Sequence, residues 1–180
     1  MIALSVVALV ALAFPAHAAK EKHKMTGPKV GSPAPAFTAK DQDGKTISLA
    51  DFHGKQNVVL YFYPADETGG CSFEACRFRD DMSKYQSAST VVLGVSTQDA
   101  NSHKHFVEKE KLNFSLLDDA SETICTAYGV LDDEPGEKYA DRQTFLIDKQ
   151  GIIRKHDGDF TKETLMAHSS DLLKAIAALK

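Results

Sequence analysis

The sequence predicts an α/β fold: a central mixed β-sheet flanked by helices in three layers. Three observations carry that expectation. Residues 58–63 (Val-Val-Leu-Tyr-Phe-Tyr) and 90–95 (Thr-Val-Val-Leu-Gly-Val) are continuous apolar, β-rich runs, the pattern of strands buried on both faces. A helical stretch joins them, giving strand, helix, strand. A third apolar run, residues 144–147, is followed by a turn, a returning strand and a closing amphipathic helix. That order suits helices packed on both faces of a mixed sheet.

The elements follow in chain order. Pro28, Gly31, Pro33 and Pro35 break regular structure until about Phe37. Asp41-Gln42-Asp43-Gly44 reads as a turn, with a short strand at residues 46–49. The central strand, 58–63, ends at Pro64. Residues 71–85 read as a helix with Phe73, Cys76, Met82 and Tyr85 as candidate buried positions. Residues 102–112 read as a second helix, with His103, Phe106 and Val107 spaced for one face. A short helix at 122–128 ends at Gly129. Residues 151–155 pair with 144–147 across the turn Asp148-Lys149-Gln150-Gly151, and 161–179 close the chain as a helix.

Composition narrows the function classes. Apolar residues are 43% and aromatics 8%, close to an ordinary globular domain, which excludes a disordered, collagen-like or rod-like chain. With 21 Lys+Arg against 25 Asp+Glu the formal net charge is −4, so the positive footprint of a nucleic-acid binder is missing. Three cysteines are too few for a disulfide scaffold, so each is judged by its reactivity.

The N-terminus reads as a secretory signal peptide, residues 1–18. Residues 2–14 are apolar except for Ser5, a run too short for a span of about 20 residues. Pro15 and the small-x-small site Ala16-His17-Ala18 follow, and cleavage is expected before Ala19. The n-region lacks the usual Lys or Arg, and no Cys follows for lipid attachment. Residues 19–29 read as a flexible tether and 30–180 as the folded domain. This predicts a periplasmic or secreted protein with no stable membrane association after cleavage.

The chemistry is expected where the central strand ends. Residues 64–71 (Pro-Ala-Asp-Glu-Thr-Gly-Gly-Cys) lead from that strand into a helix, and open α/β sheets place reactive groups at such ends. Cys71 falls in the first helical turn, where free backbone N–H groups and the helix dipole favour a thiolate. Gly69 and Gly70 allow close backbone approach and unusual dihedrals. Thr68 is placed to cap the helix and face the sulfur. The same pattern also fits an inert buried cysteine beside an ordinary Thr cap. Cys125 lies in an apolar helical patch and reads as core. His103 and His105 point apart on a helix and make a poor metal pair.

These residues carry a resemblance. The strand 58–63 with Pro64, then Thr68-x-x-Cys71 and Glu74-Ala75-Cys76, resembles a peroxiredoxin of the bacterioferritin-comigratory-protein (PrxQ) type. Residues 30–37 (Val-Gly-Ser-Pro-Ala-Pro-Ala-Phe) resemble the family's opening, and 142–148 (Arg-Gln-Thr-Phe-Leu-Ile-Asp) its late arginine strand. The likeness covers nearly all of residues 30–180. It implies a thioredoxin-like fold and thiol-dependent reduction of hydrogen peroxide or organic hydroperoxides. It implies Cys71 as nucleophile, Arg142 beside it, Pro64 and Thr68 in the site loop, and Cys76 as the resolving cysteine of an intramolecular disulfide. A thioredoxin-like dithiol protein would be the reductant and the protein a monomer, with no metal, flavin or haem. One departure stands out: the family commonly has Thr-Pro-Gly-Cys, and here Gly69 replaces the proline, which loosens the loop.

Two other readings use the same cysteines. An exported thioredoxin-like thiol–disulfide oxidoreductase normally shows Cys-x-x-Cys, whereas Cys71 and Cys76 are spaced Cys-x₄-Cys. A non-enzymatic copper-binding module on the same fold needs two thiolates and a poised His.

Overall fold

Strand β3 (Asn57–Phe62) is buried at every residue, and the molecule is assembled around it. In the computed structural model, which describes residues 27–134 and 137–179, a five-stranded sheet runs in the order β5-β4-β3-β8-β9. Its members are β4 (Thr90–Ser96), β5 (Ser115–Asp118), β8 (Gln143–Ile147) and β9 (Ile153–Asp157). β3, β4 and β5 are parallel, while β8 and β9 are antiparallel, so the sheet is mixed. The expected leader, residues 1–18, and residues 19–26 of the expected tether lie outside the described residues.

Alternation along β3 sorts the core into two faces. Val58, Leu60 and Phe62 point to a layer containing Phe37, Phe145, Tyr128 and helix α3 (Thr123–Ala127). Val59, Tyr61 and Tyr63 point to the opposite layer, against helices α1 (Gly69–Ser87), α2 (Ala100–Glu110) and α4 (Lys162–Ala177). Both faces of the strand are covered, which is why its sequence is a continuous apolar run. Gly94 has a packing reason: a Cβ there would meet Leu116 Cδ2 at 2.6 Å and the Tyr61 hydroxyl at 2.9 Å.

α1 leaves the C-terminal end of β3 and buries Cys71, Glu74, Ala75, Phe78, Met82 and Tyr85. That stripe follows helical spacing. Two expected positions are corrected by it. Phe73 is exposed (40%) and Cys76 is only half-buried, because the core side is phased on Cys71, not on Phe73. α2 begins at Ala100 with Asp99 accepting from the Ser102 N–H, and stops at Lys111, which adopts a left-handed conformation. α4 begins after Thr161, whose hydroxyl accepts from the Thr164 N–H.

Besides the short strand expected at residues 46–49, four strands had no apolar run to announce them. β1 (Thr38–Lys40) pairs with β2 (Thr46–Ser48), and each has three residues. β5 offers only Leu116-Leu117. β6 (Leu131–Glu134) and β7 (Glu137–Ala140) form an antiparallel ladder, although Asp132 and Asp133 are poor strand formers. The returning strand β9 sits two residues later than expected. It is still a hairpin with β8, with an irregularity between Leu146 and Ile147.

Candidate active site

The central strand ends at Phe62, and beyond Tyr63 and Pro64 the chain turns through Ala65, Asp66, Glu67 and Thr68 into α1. This turn is fastened to α2. The buried Asp66 carboxylate accepts from the Tyr63 hydroxyl (2.8 Å), Ser102 Oγ (2.6 Å) and His103 Nδ1 (2.9 Å). His103 donates from Nε2 to the Leu117 carbonyl at 3.2 Å, which ties the turn to β5 as well. Burial works to raise the Asp66 pKa, but these donors outweigh it and hold the carboxyl below its usual range. Glu67 has a left-handed backbone (φ 59°), and its carboxylate meets Lys109 Nζ at 2.5 Å and His105 Nδ1.

Thr68 occupies the N-cap position of α1 but does not cap it with its side chain. Its hydroxyl turns back to the Ala65 carbonyl at 3.4 Å, which corrects the expected cap. Gly69 and Gly70 are helical and neither has a positive φ, and a Cβ on Gly69 would meet nothing within 4 Å. A Cβ on Gly70 would touch Arg142 Nη2 at 3.4 Å.

Cys71 is the third residue of α1 and is 2% exposed. The first intrahelical bond runs from the Ser72 N–H to the Thr68 carbonyl (2.8 Å). The N–H groups of Gly69, Gly70 and Cys71 therefore precede the helical ladder and face the start of the helix. Arg142, in the segment entering β8, donates from Nη2 to Cys71 Sγ at 3.0 Å. Its Nη1 donates to Glu74 Oε2. Burial works to lower the Arg142 pKa, yet the Glu74 carboxylate and Cys71 more than offset it and leave it raised.

Glu74 lies one turn after Cys71 on the same buried stripe and is 2% exposed. A buried carboxylate needs partners. It has Arg142 on Oε2 and His168 Nδ1, from α4, on Oε1 at 3.0 Å. Beneath it Tyr61 is buried with its hydroxyl unbonded among the described residues, and burial, then Glu74 and Cys71, push its pKa up.

Cys76 is set apart from this group. Its thiol donates to Glu110 Oε2 at 3.4 Å, and burial together with Glu110 pushes its pKa up. Cys125 sits on the other side of the sheet in α3, fully buried. Burial and Asp119, which accepts from its N–H at 2.8 Å, raise its thiol well above the ordinary range.

The structure thus brings Cys71, Arg142 and the Pro64–Thr68 turn together, and keeps Cys76 on the same helix but outside the cluster. Sequence reasoning assigned no role to Glu74, Asp66, His103 or His168. The available signal for Glu74 was its phase: a glutamate three residues after Cys71 on the apolar stripe.

The AhpC/TSA family model matches residues 30–156. Chloroplastic peroxiredoxin Q of Triticum aestivum is 47% identical over 150 residues, covering 83% of this chain and 67% of the relative. A putative peroxiredoxin bcp of Coxiella burnetii is 46% identical over 129 residues, covering 69% of this chain and 85% of the relative. Among solved structures, peroxidoxin BcpB from Mycobacterium tuberculosis superposes with a TM-score of 0.78 at 30% identity. The match covers 84% of this chain and 98% of that one. Xanthomonas campestris peroxiredoxin Q gives 0.73 at 26% identity, covering 79% and 90%. The fold these neighbours share with this chain is thioredoxin-like.

Proposed function

The chain belongs to the AhpC/TSA family and has the thiol-dependent peroxidase function of its peroxiredoxin relatives, and on that premise we propose that Cys71 is its peroxidatic nucleophile. The observation that carries this is the Arg142 guanidinium 3.0 Å from the Cys71 sulfur, at the start of α1.

The Cys71 thiolate attacks the terminal oxygen of a peroxide, the O–O bond breaks, and the leaving oxygen takes a proton and departs as water or an alcohol. Cys71 is left as a sulfenic acid. Negative charge develops on the peroxide oxygens as the bond breaks. The Arg142 fork and the N–H groups of Gly69, Gly70 and Cys71 are positioned to bond that charge. Thr68 swings its hydroxyl from the long bond to Ala65 toward the peroxide. Pro64 fixes the turn that presents it. The Cys76 thiol then condenses with the sulfenic acid, releasing water and forming the Cys71–Cys76 disulfide. A thioredoxin-like dithiol reduces that bond by exchange.

The apolar run at residues 2–14 and the Ala16-His17-Ala18 site support an exported protein, periplasmic or secreted, and the likeness to the PrxQ type supports a monomer acting through residues 30–180. The deciding experiment is mass spectrometry of the Cys76→Ser protein after one equivalent of hydrogen peroxide and a sulfenic-acid trap. The adduct is expected on Cys71 alone. An adduct on Cys125 instead would overturn the assignment.

A further inference from the structure

Helix α4 reaches the site at one buried side chain. His168 is 4% exposed and lies with its ring edge-on to Phe78 (centroids 5.5 Å) and Phe160 (4.6 Å). Its Nδ1 is 3.0 Å from Glu74 Oε1. An ionised carboxylate only accepts, so Nδ1 carries the proton in this bond. Nε2 has no hydrogen-bond partner among the described residues, and Asp157 Oδ2 is 3.8 Å away. The polar contact the ring makes is therefore aimed at Glu74.

Glu74 is bonded from both sides. His168 holds Oε1 and Arg142 Nη1 holds Oε2, while the other arm of Arg142 holds the Cys71 sulfur. The chain His168, Glu74, Arg142, Cys71 draws on three separate parts of the fold: α4, α1 and the segment entering β8. A carboxylate gripped at one oxygen can rotate about its last torsion. Gripped at both, its plane is fixed, and with it the direction in which the guanidinium presents its second arm.

We propose that His168 is a positioning residue for the peroxidatic step: it orients Glu74, and through Glu74 the face of Arg142 that meets Cys71 and the peroxide. The inference rests on the reading of Cys71 as nucleophile. His168 touches neither sulfur nor substrate, so its effect passes entirely through the hydrogen bond from Nδ1.

Two substitutions separate that bond from simple packing. H168F keeps an aromatic ring between Phe78 and Phe160 and removes the donor. H168N removes the ring and keeps an N–H near the position of Nδ1. The second-order rate constant for oxidation of Cys71 by hydrogen peroxide is measured by stopped flow, with thermal melts to confirm folding. H168F is expected to be slower than wild type by about tenfold, and H168N to stay within about threefold, even where it melts at lower temperature. If H168F does not fold, H168A supplies the donor-free comparison with H168N. A rate in H168N as low as or lower than in the donor-free variant assigns His168 to packing and overturns the proposal, as does an unchanged rate in all of them. Peroxide oxidation of wild type at a cysteine other than Cys71 would instead sink the nucleophile assignment, so the two failures are told apart.

Discussion

Arg142 Nη2 donates to the Cys71 sulfur at 3.0 Å, while the other arm of the same guanidinium is held by Glu74. A planar fork can serve both at once and a lysine ammonium cannot keep that geometry. Arg142→Lys should therefore slow peroxide attack by tenfold or more, about the effect of losing one charged hydrogen bond of roughly 1.5–3 kcal/mol. Stopped-flow oxidation of Cys71 checks it, and an unchanged rate constant would show that the two-armed geometry of Arg142 is not needed for peroxide attack.

The cysteines should separate cleanly in turnover assays. Cys71→Ser is expected to abolish peroxide reduction. Cys125→Ser should keep most of it, because Cys125 lies across the sheet with a thiol that burial and Asp119 keep protonated. Its cost falls on stability instead, at about 1 kcal/mol, read from denaturant unfolding.

Glu110 restrains Cys76. Burial and then the Glu110 carboxylate raise the thiol pKa, so Glu110→Gln removes one of the raising influences and leaves more thiolate at neutral pH. Alkylation of Cys76, followed peptide by peptide in the reduced protein, should speed up by roughly two- to tenfold. Disulfide formation after peroxide should quicken with it. Equal alkylation rates in the two proteins would show that the 3.4 Å contact does not govern the thiol.

Asp66 makes the site turn sensitive to acid. Its hydrogen-bond donors hold its pKa below the usual carboxylate range, so the stability it contributes is complete above about pH 4 and is lost as pH falls through the lower folded value. Asp66→Asn replaces one of the two oxygens that accept from Tyr63, Ser102 and His103 with a donor, and should cost about 1–3 kcal/mol at pH 7. The gap between wild type and variant should shrink steadily below pH 4. A gap that stays constant from pH 7 to pH 3 would show that the carboxylate contributes no charge-dependent stability.

Much of this architecture is written in apolar runs. Residues 58–63, 90–95 and 144–147 are buried at every position but the half-buried Val91, so nearly all of them are apolar and the signal is dense. β1, β6 and β7 lie in two-stranded ladders outside the main sheet, where few residues need be apolar, and β5 shows only Leu116-Leu117, whereas β2 is marked by the Asp41–Gly44 turn before it. The site divides in the same way. Cys71, Thr68 and Arg142 stand out through local pattern and family likeness. Glu74, His103 and His168 are polar residues on buried helix faces, meaningful only once three elements meet. Whether Glu74 is a surface charge or the bridge between Arg142 and His168 depends on α4, more than 90 positions along the chain.

Formation of the Cys71–Cys76 disulfide should melt the start of α1. Both residues lie within one continuous helix, Gly69–Ser87. Five helical steps turn the chain by about 500°, leaving the side chains roughly 140° apart around the axis. The rise of about 7.5 Å and a Cα radius near 2.3 Å put the two Cα atoms about 8.7 Å apart. Disulfides seldom exceed about 6.8 Å, so the oxidised pair cannot share an intact helix. Residues 71–77 must unwind, and Glu74 lies between the two cysteines. Melting therefore also pulls Glu74 from Arg142 and His168, so the reduced site is held by bonds that oxidation must break. Slow melting would leave the sulfenic acid exposed to more peroxide and favour over-oxidation. Amide hydrogen exchange on the two redox states tests this directly. Protection over residues 71–77 should fall on oxidation and return with a dithiol. Equal protection in both states, with the 71–76 bond confirmed by peptide mapping, would rule the unwinding out. A mapped bond from Cys71 to Cys125, or between two chains, would remove Cys76 from the resolving role.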